Sequence, residues 1–87
     1  AFAIAQQTGN TIVEFLSING IGGIYDKLGK YQKSLENYQK FLEIAKNNNY
    51  TSGESAVLNT IADIYRRLGK YQEALEFYQQ SLTIAKE

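Results

Sequence analysis

The side chains able to do chemistry here form a pattern suited to recognition and unsuited to catalysis. Neither His nor Cys occurs among the 87 residues. That removes the commonest general base, the commonest transition-metal ligand and every thiolate. Carboxylates are spread along the chain, no hydroxyl has a base beside it, and no convergent cluster forms, so neither an enzyme nor a cofactor site is expected. What remains is a set of groups repeated in two segments. Counted at about 100° per residue, Leu16, Asn19, Gly20, Gly23, Asp26 and Lys27 share one helical face. Ala56, Asn59, Thr60, Asp63, Arg66 and Arg67 share the same face of a second helix. Asn19 and Asn59 are identical, although no packing demand explains an Asn there. A carboxamide both donates and accepts, which suits the backbone of an extended peptide.

The elements that position these groups are copies of one another. Asn19–Gln32 returns as Asn59–Gln72 forty residues on, and residues 11–47 and 51–87 agree at 19 of 37 positions. Such a period signals stacked supersecondary units, each too small to bury its own apolar face. Opposite the polar stripe, apolar or small residues recur at Phe15, Ile18, Ile21, Gly22, Tyr25 and Leu28. Ser55, Leu58, Ile61, Ala62, Tyr65 and Leu68 hold the same places in the copy, so both segments read as amphipathic helices. Gly29 and Gly69 end them, since Gly takes the left-handed C′ conformation freely. A second helix follows from Tyr31 or Tyr71, with Ser34/Ala74, Leu35/Leu75, Tyr38/Tyr78, Leu42/Leu82 and Ala45/Ala85 facing inward. A link this short makes each pair an antiparallel hairpin.

Thr11-Ile-Val-Glu14 and Thr51-Ser-Gly-Glu54 both read as capping boxes. Asn47–Tyr50 reads as a looser joint with Tyr50 free, while the other six tyrosines belong to inner stripes. Helices are therefore predicted at about 12–28, 31–47, 52–68 and 71–86. Phe2, Ile4 and Ala5 align with Leu42, Ile44 and Ala45, which makes residues 1–9 the tail of a preceding second helix. Residues 11–50 and 51–87 are then the two repeats of a single domain spanning 1–87. The chain does not begin with Met, so a piece of a longer array is expected.

Nine basic and nine acidic side chains cancel, leaving no general electrostatic drive toward nucleic acid or an anionic membrane. No apolar run is long enough to span a bilayer, and Ala1–Gln7 lacks the basic flank of a signal peptide. A cytoplasmic location is the expectation. Asn19-Gly-Ile-Gly-Gly lacks the Lys-Ser/Thr and the preceding strand of a phosphate loop, and reads as mid-helix. Lys27, Lys30, Arg66, Arg67 and Lys70 gather where first helices end, where cations complement the helix dipole.

The series Ile18–Ile21–Gly22–Tyr25–Gly29–Tyr31–Ser34–Tyr38–Leu42, with its copy Leu58–Ile61–Ala62–Tyr65–Gly69–Tyr71–Ala74–Tyr78–Leu82, resembles the tetratricopeptide repeat. The resemblance implies an all-α fold: antiparallel helix hairpins stacked as a right-handed α-solenoid, two units plus an N-terminal partial helix. It implies first helices lining a concave groove that takes a protein or peptide partner, so the stripe from Leu16 to Asp26 and from Asn59 to Arg67 would face the ligand. Two departures stand out. The period is forty against about thirty-four in the family, as in the longer variant of kinesin-light-chain-like arrays and many bacterial repeat proteins. Phe41 stands where the family prefers a small residue, and its copy is Ser81. The family's Lys/Asn/Arg clamp for a C-terminal carboxylate is not matched: Leu16, Asn19, Gly23, Ala56 and Thr60 hold its places, and Asp63 opposes an anion. A self-assembly module is the alternative, dimerising or stacking through a bare last helix with Leu75 and Ile84 outward.

Overall fold

A computed structural model describes residues 9–86, with side chains from Val13 onward. Four helices follow one another: α1 Gly9–Lys27, α2 Tyr31–Asn47, α3 Thr51–Arg67 and α4 Tyr71–Lys86. Each packs on the next in chain order, α1 on α2, α2 on α3 and α3 on α4. The all-α hairpin stack follows from the sequence as expected. The proposed tail of a preceding helix falls at residues 1–8, outside the described residues, and Gly9 belongs to α1.

Three turns of one design join the helices. Gly29 and Gly69 have φ of +77° and +78°, and Asn49 has φ of +56°. After α1, the Lys30 N–H donates to the Tyr25 carbonyl at 2.8 Å and the Gly29 N–H to Asp26 at 3.0 Å. Lys70 and Gly69 repeat the pair on Tyr65 and Arg66, at 2.8 and 3.0 Å. Tyr50 and Asn49 do the same on Ala45 and Lys46, at 2.9 and 3.2 Å. This is the Schellman closure, with Asn standing in for Gly because its short side chain tolerates the left-handed region. Asn47–Tyr50 is thus as tightly closed as the other links, which corrects the expected looser joint.

The capping boxes also need correction. α1 opens at Gly9, so Thr11 lies inside the helix, in its first turn. α3 opens at Thr51 behind Tyr50, with no side-chain cap hydrogen bond, and the Tyr50 carbonyl accepts from the Glu54 N–H at 2.9 Å. The left-handed turn at Asn49 delivers the chain one residue too early for Thr51 to cap. Nor is Tyr50 free. Its ring lies 5.0 Å from that of Phe15 and covers Gly53, where an added Cβ would meet ring carbons at 2.5 Å and closer.

The core sits between α2 and α3, around Leu35, Tyr38, Val57, Ile61 and Ile64. α3 has a helix on either side, so Ile61 and Ile64 are fully buried. α1 and α4 each pack on one helix among those described. Ile21 and Leu28 are accordingly exposed, as are Tyr71, Leu75, Leu82 and Ala85, although their spacing places them inward; Leu68, at the end of α3, is exposed as well. Leu75 is bare as expected; Ile84 is half-buried, and Leu82 is bare in its stead.

Candidate functional site

Periodicity sets the polar stripe on α1 and α3, and tertiary contact divides it in two. The half near the helix C-termini is engaged internally. Arg67 on α3 reaches Asp26 on α1, its Nη1 donating to both carboxylate oxygens at 2.7 Å. Asp63 accepts from the Tyr78 hydroxyl of α4 and from Arg66 Nη2 at 3.3 Å. The Tyr78 hydrogen bond, foremost, holds the Asp63 carboxyl below its ordinary range; burial opposes this and Arg66 adds to it. The ridge expected from Lys27, Lys30, Arg66, Arg67 and Lys70 therefore has its two arginines tied down by Asp63 and Asp26.

The other half stays open. Leu16 is 68% exposed, and Asn19, Gly20 and Asn59 are exposed with it. Neither Asn19 nor Asn59 hydrogen-bonds another described side chain. Thr60 Oγ1 turns back to the Ala56 carbonyl at 3.2 Å. A Cβ on Gly20 would meet nothing within 4 Å, and one on Gly23 would touch only the Tyr38 hydroxyl at 3.7 Å. Asn59 and Ala56 border an open depression lined by Thr51, Ser52 and Ser55 of the same helix and by Ile84 and Ala85 of α4. Leu16, Asn19, Gly20 and Asn59 are thus exposed and Gly23 is half-buried, while Asp26 pairs with Arg67 across α1 and α3 and Asp63 with Arg66 within α3. Asn19-Gly-Ile-Gly-Gly lies inside α1, as expected. Among the described residues, no three acidic side chains gather to hold a metal ion, and no helix is long and apolar enough to cross a membrane.

Sequence reasoning misses how the two hairpins are sealed. Phe15 packs on Phe41 with ring centroids 4.7 Å apart, which is how the ring at 41 finds room. One period later, Ser55 and Ser81 face each other with hydroxyls 3.0 Å apart, and Ser81 Oγ donates to the Ser55 carbonyl at 2.9 Å. The signal is there in the chain: positions 15 and 41 change from Phe to Ser together. The Asp63–Tyr78 contact escapes as well, because the spacing of Tyr78 assigns it wholly to the core.

Helix hairpins closed by identical left-handed turns and stacked in one direction define an α-solenoid repeat protein. The family model of the tetratricopeptide repeat matches residues 14–87. The chain belongs to that family. No curated protein and no solved structure matches it in the same comparisons.

Proposed function

We propose that the chain is a protein-interaction scaffold that takes an extended peptide along the stripe formed by α1 and α3. Membership in the tetratricopeptide repeat family points to a protein-binding scaffold rather than a catalyst. The observation that carries the finer reading is the repeated, exposed and unengaged pair Asn19/Asn59. Two carboxamides in equivalent places on successive units can each meet a peptide N–H and C=O. Leu16 supplies an apolar contact beside the first, and the bare backbone at Gly20 and Gly23 lets a ligand approach closely. The Asp26–Arg67 pair ties α1 to α3 and the Asp63–Tyr78 contact ties α3 to α4, which leaves the open half of the stripe nearly uncharged.

The test is a peptide array read with the wild-type chain and with Asn19→Ala/Asn59→Ala. Peptides bound by the wild type should be lost by the double variant, while the circular-dichroism melt stays within a degree or two. Retention of every bound peptide by the variant would refute the assignment of the stripe.

A further inference from the structure

The edge of the stack that carries the Gly29 and Gly69 turns holds more positive charge than the fold uses. Lys27, Lys30, Lys33, Arg66, Arg67 and Lys70 are six of the nine cations in the chain. Asp26 pairs with Arg67 and Asp63 with Arg66, which leaves the four lysines. Lys30, Lys33 and Lys70 are exposed and, among the described residues, form no ion pair. Lys33 Nζ stands 5.6 Å over the Tyr25 ring, a contact that leaves its charge in place. Helix dipoles do not account for these three. Lys30 precedes α2, Lys33 lies in its first turn, and Lys70 precedes α4. Those are the positive ends of the two helices, where a cation is disfavoured.

The three lysines border one depression of about 590 Å³, together with Tyr31, Gln32 and Leu68, and no carboxylate lines it. Leu68 is 41% exposed and gives it an apolar patch. Residues 29–33 form one wall, and Leu68 and Lys70 the other. Both walls belong to the described array, so the depression lies at an internal step and not at an end of the stack. Nor is it a by-product of the repeat. Lys30 returns as Lys70, but Lys33 returns as Glu73.

We propose that this depression is a second binding site, which takes a short acidic segment of a partner protein. Carboxylates of the segment meet Lys30, Lys33 and Lys70, and an apolar side chain between them meets Leu68. Charge complementarity selects an anionic ligand, and the surroundings select its class. Glu36 and Glu73, one turn beyond Lys33 and Lys70, are exposed and repel the extended charge of a bilayer or a nucleic acid. A short segment need not reach them. The site does not depend on what the stripe on α1 and α3 binds.

Fluorescence anisotropy tests this with a labelled peptide repeating Glu-Asp-Leu and with its counterpart in which Gln and Asn replace the acids. The wild-type chain should bind the acidic peptide in preference to the amide one, and added salt should weaken that binding. Lys33→Glu with Lys70→Glu should weaken it about tenfold or more. Lys40→Glu with Lys46→Glu makes the same change in net charge farther along α2, and at physiological salt should leave binding within about twofold. All four lysines are exposed, and an acid in the first turn of α2 suits the dipole, so neither double variant should lose helical dichroism. Equal loss in the two double variants, or equal binding of the two peptides by the wild type, means general attraction and overturns the site. Binding of phosphatidylserine vesicles or of a single-stranded oligonucleotide without the peptide overturns it too. Asn19→Ala/Asn59→Ala should keep the acidic peptide; its loss there would assign the peptide to the stripe and remove the second site.

Discussion

The first and second hairpins share a backbone design and seal it with different chemistry at different ends. In α1–α2 the rings of Phe15 and Phe41 meet at the open end, 4.7 Å apart, while near the turn Lys33 Nζ sits 5.6 Å above the Tyr25 ring. In α3–α4 the arrangement is reversed. Tyr65 stacks on Phe77 toward the turn with centroids 5.4 Å apart, and the open end is closed by the Ser55–Ser81 hydroxyl pair. Aromatic volume has moved from one end of the hairpin to the other. The point of closest approach changes in a coupled way too: Gly22 lies under the Tyr38 ring and its carbonyl accepts from Ser34 Oγ at 2.9 Å, where the copy has Ala62 and Ala74. A hairpin of this kind needs each end filled or bonded, and it accepts either solution provided both partners change together.

The contrast between the hairpins should show most strongly at their open ends. Phe15→Ala removes a nearly buried ring that touches both Phe41 and Tyr50, and should cost about 3–4 kcal/mol. Ser55→Ala removes one hydroxyl from a small polar pair and should cost about 1 kcal/mol. Equal losses in urea melts would mean that the two ends are not sealed by volume and by hydrogen bonding respectively.

Glycine substitutions sharpen it at the next level. An added Cβ on Gly22 meets the buried Tyr38 ring at 2.9–3.2 Å, so Gly22→Ala should lower stability by about 1–2 kcal/mol, an overpacking effect. Gly20→Ala meets open space on the same helix and should raise stability by up to about 1 kcal/mol. A rise for both would show that the Tyr38 ring can give way.

The smallest effect is also the most selective. Asp63 in the second hairpin has its pKa lowered, chiefly by the Tyr78 hydroxyl. Its contribution is present above the ordinary Asp pKa and is lost as pH falls through the depressed value. Tyr38 in the first hairpin has its pKa raised, by burial foremost and then by Asp26. Its contribution is present below the ordinary Tyr pKa and is lost as pH rises through the raised value. Tyr78→Phe should thus flatten the acid limb of the stability profile below about pH 4 and leave the alkaline limb intact, and Tyr38→Phe the reverse.

How much of this is legible in the sequence depends on the range of the interaction. The helices and the left-handed Gly29 and Gly69 follow from local spacing, and all appear. Asn49 does not register as a third turn because Asn is less diagnostic than Gly; with it go the capping box at Thr51 and the packing of Tyr50. Arg67 and Asp26 are forty-one residues apart. Spacing sets both on the same face, yet only the stacking step between units decides that they touch. Exposure at Ile21 is beyond local reading for the same reason, since its copy Ile61 is buried where a further helix packs on it. Positions 15/55 and 41/81 become readable as a linked exchange only when pairs are compared rather than single columns.

The Arg67–Asp26 contact has a mechanical meaning. It ties α1 directly to α3, bridging adjacent coils like a brace across two turns of a spring. Exposed ion pairs contribute about 0–1 kcal/mol and weaken with salt, so this brace is compliant. Ionic strength can therefore slacken this link while the apolar packing between α2 and α3 stays fixed. In elastic terms, the solenoid has a stiff axis at its core and a tunable strut at its rim.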